Sequence, residues 1–244
     1  MIRAALIGNP NVGKTEIFNH LTGLSQSVGN FPGVTVEKKA GRMIHGGQEI
    51  EVVDLPGTYG LASNAIDERV ARDYIVLEKP DVIVDIVDGI NLERNLYLTL
   101  LLLEMDANLV VALNRWDMVK ARGMKIDLEK LSELLGCPVV PTVAITGEGI
   151  EDLKSSIVEV AGQKKAKGQR AVQNYGDDIE QLIDRVGDVI KESPELTKKY
   201  PRRWLAIKML EGDERIVEQT RSNLLSPQLA KILSIIEAGE AAIK

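Results

Sequence analysis

The octapeptide Gly8-Asn9-Pro10-Asn11-Val12-Gly13-Lys14-Thr15 constrains this chain more than any other stretch. It fits the pattern G-x-x-x-x-G-K-[ST]. A short apolar run, Ile2–Ile7, precedes it and a helix-like segment over 14–22 follows it. Strand, glycine loop and helix in that order form a phosphate cradle. The glycines let the backbone wrap an anion, whose charge meets amide N–H groups and the N-terminal end of a helix. In such a loop Lys14 reaches the terminal phosphates and the Thr15 hydroxyl ligates Mg²⁺. Glu16 adds a carboxylate one residue later, which suits a helix N-terminus and repels phosphate.

The first 160 residues continue in the same style, with short β-branched runs alternating with longer amphipathic ones. That alternation marks an α/β sheet with crossover helices. Strands are expected at Ile2–Ile7, Val36–Met43, Glu51–Asp54, Val82–Val87, Leu109–Leu113 and Val139–Pro141. Helices are expected at 14–22, 67–78, 91–105, 127–135 and 149–160. The turn His45-Gly46-Gly47-Gln48 makes the second and third strands an antiparallel hairpin. The expectation is a P-loop GTPase fold: a mostly parallel six-stranded sheet with one antiparallel strand, in a domain over 1–162. A polar, basic linker over 163–170 leads to a small all-helical domain over 171–244. There Ile179, Leu182, Ile183, Val186, Val189 and Ile190 keep helical spacing. Pro201 and Ser226-Pro227 open two more helices, the last running through Ile236.

Two further motifs follow the cradle in order. Asp54-Leu55-Pro56-Gly57 ends a strand; its carboxylate can hold a metal's water shell, and the Gly57 N–H can sense a terminal phosphate. Asn114-Arg115-Trp116-Asp117 ends the fifth strand. Asp117 can accept from the N1–H and 2-amino group of guanine, which adenine does not offer in that arrangement. Asn114 braces that loop, and the N–H of Ala144 within Val143-Ala144-Ile145 meets the guanine oxygen. Gly33, Val34 and Thr35 lie between cradle and Asp54, where Thr35 can close over Mg²⁺ and let go after hydrolysis. The stretch from Thr58 through Ile66 reads as a second switch. The ligand is therefore GTP or GDP with Mg²⁺ bound through Thr15, Thr35 and, by way of water, Asp54. Thr58 stands where many GTPases carry a Gln, and no Arg occurs between Gly23 and Thr35. Slow intrinsic hydrolysis follows.

Taken together, G-N-P-N-V-G-K-T, N-F-P-G-V-T-V-E, V-V-D-L-P-G-T-Y, Asp67 through Tyr74 and Asn91 through Leu96 resemble the N-terminal cytosolic part of the ferrous-iron transporter FeoB family. Tyr200-Pro201-Arg202-Arg203-Trp204 and Leu210-Glu211-Gly212-Asp213 resemble that family's helical spacer, a dissociation-inhibitor-like domain. The resemblance implies a regulatory domain at the cytoplasmic face of the inner membrane, with a membrane transport part following Lys244. Small accessory proteins of iron uptake are implied as partners, and a homo-oligomer is open. It also implies K⁺ as an activator, held through Asn11 with carbonyls between Gly29 and Gly33, and makes Asp67 and Glu68 candidates for supporting the attacking water. Val143 departs from the usual Ser of the last guanine loop, which leaves that loop less well braced.

Composition decides what else is in play. The 244 residues carry 30 basic and 36 acidic side chains, a net charge of −6. The deficit lies wholly in 1–165, with 17 basic against 23 acidic, while 166–244 carries 13 of each. No basic stripe for nucleic acid is present, which disfavours the alternative of a tRNA-modification or ribosome-assembly GTPase. The longest apolar run, Leu96–Leu103, is too short to span a bilayer. A single cysteine, Cys137, excludes a disulfide framework and reads as a small core residue in a reducing compartment.

Overall fold

The computed structural model describes residues 1–23, 25–61, 65–163, 174–221, 224 and 226–243. It divides into two compact units, Met1–Leu103 with Ala107–Ala171, and Glu104–Asp106 with Val172–Lys244. The first holds the sheet: β1 (Ile2–Gly8), β2 (Gln26–Asn30), β3 (Glu37–His45), β4 (Gln48–Asp54), β5 (Val82–Asp88), β6 (Leu109–Asn114) and β7 (Val139–Pro141). Their spatial order is β2-β3-β4-β1-β5-β6-β7. The four pairings among β4, β1, β5, β6 and β7 are parallel, and β3 alone runs against its neighbours.

The sheet therefore has seven strands where six were expected. The extra one, β2, is Gln-Ser-Val-Gly-Asn, exposed along its whole length and paired only with β3. A strand with neither face buried has no alternation to read. The central strands are the opposite case: β5 and β6 are buried at every position, so they read as near-continuous aliphatic runs.

Helices of this unit are α1 (Lys14–Thr22), α2 (Ile66–Asp73), α3 (Leu92–Glu104), α4 (Trp116–Ala121), α5 (Leu128–Leu135) and α6 (Ile150–Gly162). Ile17 and Phe18 of α1 and Leu153 and Ile157 of α6 pack with Leu6, Val52, Val84, Ile86 and Val110 of the sheet. Leu98 and Leu102 of the leucine run are also fully buried. The helix expected over 67–78 changes hand-hold midway: α2 gives way to a π-helical turn, Tyr74–Glu78. Cys137 is buried just ahead of β7.

The second unit is helical among its described residues: α7 (Asp177–Lys191), α8 (Pro194–Lys199), α9 (Arg202–Leu210), α10 (Glu214–Arg221) and α11 (Ser226–Ile243). Its core is built from Ile183, Val186 and Ile190 of α7, Trp204 and Leu205 of α9, and Ile232 and Ile235 of α11, all buried. Tyr200 stacks on Trp204 at 5.9 Å between ring centroids. The last helix runs seven residues beyond the expected Ile236. Beyond Gln163, the expected linker over 163–170 lies outside the described residues.

Candidate nucleotide-binding site

A cleft of about 590 Å³ opens at the carboxyl ends of the parallel strands, where ligands of open α/β sheets bind. Asn9, Pro10, Asn11, Gly13, Lys14, Thr15 and Glu16 line one side of it, with Gly57 beside them. Asn114, Arg115, Asp117, Met118, Val143, Ala144 and Ile145 line the other. Loops that the sequence separates by about a hundred positions thus face one another.

The loop after β1 turns through two left-handed residues, Asn11 (φ 65°) and Gly13 (φ 93°). Gly13 is required on a second ground, since a Cβ there would sit 2.3 Å from Asn114 Nδ2. That amide donates to the Val12 carbonyl at 2.7 Å, and Asn114 Oδ1 accepts the Ala144 N–H at 2.9 Å. Asn114 is therefore a buried clamp between the P-loop and the 143–145 loop. Gly8 and Val12 stand behind the cleft: Gly8 pairs within the sheet, and Val12 is buried in the core. Arg115 Nη2 donates to the Asn11 carbonyl at 2.7 Å. Asp117, in the first turn of α4, is exposed into the cleft. The adjoining Met118 and Ile145 supply apolar surface, which suits the face of a flat base.

The 143–145 loop is better braced than its Val143 suggests. Val143 N–H donates to Glu148 at 3.0 Å and its carbonyl accepts from Gly147 at 2.9 Å. His20 of α1 adds a third tie, its Nε2–H donating to the Ala144 carbonyl at 2.8 Å. Backbone pairing and an imidazole thus brace this loop without a serine hydroxyl. Nothing in the sequence announces His20, which lies 124 positions from its partner.

On the phosphate side, Lys14 forms an ion pair with Asp54, both side chains largely buried. The loop after Asp54 is stitched to the P-loop by Thr58 N–H on the Gly8 carbonyl at 3.1 Å. Gly57 lies beside the P-loop, where a Cβ would make ordinary van der Waals contact with Pro10 Cα at 3.5 Å. Thr58 is buried and donates its hydroxyl to the Gly60 carbonyl at 2.7 Å, so that hydroxyl is already spent. Thr15, in the cleft, and Asp54, paired with Lys14, are hard oxygen donors beside the cradle, a set that fits Mg²⁺ with its retained waters. Among the described residues no three His, Cys, Asp or Glu side chains converge as a metal cage.

Other expected site residues stand apart from the cleft. Gly33 and Thr35 are exposed, Val34 is half-buried, and none of the three lines it. Their loop is held by Phe31, which is buried with its ring edge-on to Tyr74 at 6.0 Å. Gly29 and Asn30 lie in β2, opposite Lys38 and Glu37, rather than in a free loop. Asp67 and Glu68 occupy the first turn of α2 and do not reach the cleft; Glu68 faces Gly60 instead. Of the second switch, residues 62–64 lie outside the described residues.

Comparison with known proteins agrees with this geometry. Residues 2–157 match the family described as Ferrous iron transport protein B, and residues 175–244 match the FeoB cytosolic helical domain. The Fe(2+) transporter FeoB of Methanocaldococcus jannaschii is 48% identical over 232 residues, covering 95% of this chain and 34% of that protein. A Porphyromonas gingivalis fusion of Fe(2+) transport protein A with FeoB is 41% identical, covering all of this chain and 28% of the fusion. The chain thus spans about a third or less of the curated relatives it matches. Among solved structures, the cytosolic domain of the T. maritima FeoB iron transporter in a GDP form superposes with a TM-score of 0.84 at 38% identity, covering 99% of this chain and 94% of that one. Its GMPPNP form gives 0.85 at 37%, covering 99% and 98%. By these matches across both units, the chain belongs to the FeoB family of ferrous iron transport proteins.

Proposed function

We propose that this chain is the GTP-binding, GTP-hydrolysing regulatory part of a prokaryotic membrane Fe(II) uptake protein. One observation carries the reading: a single cleft joins the P-loop to Asp117 and Ala144, with Asn114 clamping the two halves together through the Val12 carbonyl and the Ala144 N–H. Phosphate and guanine would then be gripped by one rigid wall. Thr15, Thr35 and Asp54 would hold Mg²⁺, which when bound neutralises charge on the β- and γ-phosphates. Thr35, outside the cleft with Gly33 and Val34, would come to the nucleotide by closure of the first switch. Hydrolysis would be slow, because Thr58 spends its hydroxyl on Gly60 and no first-switch arginine is available. K⁺ at Asn11 would supply the missing positive charge, and Asp67 and Glu68 would act on the attacking water only indirectly.

The full protein would place this part at the cytoplasmic face of the inner membrane, joined to its transport part and open to small accessory proteins or self-association. Among the described residues no helix is long and apolar enough to cross a membrane. No observation favours an RNA-assembly role.

The test is competition against a fluorescent GDP analogue in Mg²⁺ buffer. GTP and GDP should displace it, and ATP should be weaker by ~10⁴-fold, the penalty of leaving Asp117 unpaired. Asp117→Asn should turn the preference toward xanthine nucleotides, since an amide pairs with an oxygen where the carboxylate paired with an amino group. Equal displacement by ATP and GTP on the unmodified chain would end this reading.

A further inference from the structure

The carboxylate of Asp88 closes β5 next to the P-loop strand, and no nucleotide motif includes it. It is buried, and both oxygens are engaged. Oδ1 accepts the Ile90 N–H at 3.0 Å. Oδ2 accepts Asn91 Nδ2 at 2.8 Å and Arg115 Nη1 at 3.0 Å. Asn95 fastens the same corner, accepting the Asp88 N–H at 3.3 Å and donating to the Asn91 carbonyl at 2.9 Å. A buried carboxylate held at this many points has one orientation.

Its consequence passes through Arg115. A guanidinium is planar and its donors form a fixed fork, so fixing Nη1 on Asp88 aims Nη2. Nη2 donates to the Asn11 carbonyl at 2.7 Å. In a trans peptide the carbonyl and the following N–H point in opposite directions. Drawing the Asn11 carbonyl toward Arg115 therefore commits the Val12 N–H to the other side of the loop. Asn114 does the same one peptide later, drawing the Val12 carbonyl and committing the Gly13 N–H. Without the first tie, the peptide after the left-handed Asn11 loses the contact that fixes its own carbonyl, and the hold of Asn114 one peptide later is left.

We infer that Asp88 is a positioning residue for nucleotide binding, acting through Arg115 to hold the P-loop backbone at Asn11 ready for phosphate. The inference rests on the nucleotide reading of the cleft. Asp88 also caps the short 3-10 turn Gly89–Asn91 through the Ile90 N–H. Asparagine separates these duties: its side-chain oxygen keeps the cap, while its amide confronts two donors, Asn91 Nδ2 and Arg115 Nη1.

The experiment measures release of a fluorescent GDP analogue and nucleotide-free melting on the full chain. Asp88→Asn should speed GDP release about tenfold or more, the loss expected for a hydrogen bond to a charged group. Its preference for GTP over ATP should be unchanged, because Asp117 is untouched. Arg115→Met should speed release similarly, and the double variant should be no worse than either single one. Arg115→Lys should not restore the unmodified rate, having a single ammonium in place of the fork. An Asp88→Asn chain that melts lower yet releases GDP at the unmodified rate would make Asp88 a structural cap and overturn the inference. Independent, multiplying effects of the two substitutions would overturn it as well. Failure of the unmodified chain to bind GDP would instead strike the nucleotide reading itself.

Discussion

A left-handed backbone at Asn11 (φ 65°) is a conformation glycine adopts at least cost, and asparagine is one of the few side chains that tolerate it. Glycine would meet the backbone requirement alone, so the amide at this position has to be explained by what it adds. Asn11 lines the cleft and its carbonyl is tied to Arg115, which leaves the side-chain oxygen free to face a phosphate-bound cation. That is where an arginine finger, worth ~10³–10⁵ in rate, would act in other GTPases. GTP hydrolysis should therefore run faster in KCl than in NaCl at equal ionic strength. Asn11→Gly should abolish the difference while keeping GDP affinity within a few fold, because the left-handed turn survives. Asn11→Ala adds backbone strain and is the less clean variant. Equal rates in the two salts with the unmodified chain would remove Asn11 from the catalytic machinery.

Element by element, the sheet carries one polar group that its sequence pattern hides. Strand β5 reads Val-Ile-Val-Asp-Ile-Val-Asp and is buried throughout, yet Asp85 lies inside it. The Thr99 hydroxyl of α3 donates to its Oδ2 at 2.6 Å. Burial pushes the Asp85 carboxyl from 3.8 up to about 7, against a smaller lowering by Thr99. Folded protein then binds more protons than unfolded protein between about pH 4 and pH 7, so stability falls as pH rises through that window and levels off above it. The loss by pH 8 is roughly 4 kcal/mol on the scale of 1.36 kcal/mol for each pH unit. Asp85→Asn should raise the urea midpoint at pH 8 and change it little at pH 5, where the native carboxyl is already protonated. Equal shifts at both pH values would show that Asp85 is ionised in the fold. The elements most legible in the sequence, β5, β6 and α1, are those whose burial writes itself as aliphatic spacing. β2 escaped because it is exposed on every residue, α4 because it is six residues long and begins inside a binding motif. The π turn escaped because Tyr-Ile-Val-Leu-Glu reads like a continuing helix.

For the molecule as a whole, contiguous motifs revealed the two halves of the cleft, whereas the ties that join them did not show in the sequence. Asn114 to Val12, Arg115 to Asn11 and His20 to Ala144 each link residues more than a hundred positions apart, and no local pattern encodes such a contact. The same limit applies to the helical unit. Its core is built around Trp204 and Ile183, and every residue lining the cleft falls between Asn9 and Ile145. We propose that the helical unit, whose residues 175–244 match the FeoB cytosolic helical domain, acts as a brake on GDP release. A chain ending at Gln163, just after α6, keeps the whole sheet, its covering helices and the cleft. It should release GDP about tenfold faster, a coupling of ordinary size between distant parts of a protein. The measurement is stopped-flow release of a fluorescent GDP analogue, with melting of the shortened chain recorded alongside so that lost stability is not mistaken for lost restraint. An unchanged release rate from a well-folded shortened chain would leave the helical unit as a spacer, with its influence confined to whatever it joins in the full protein.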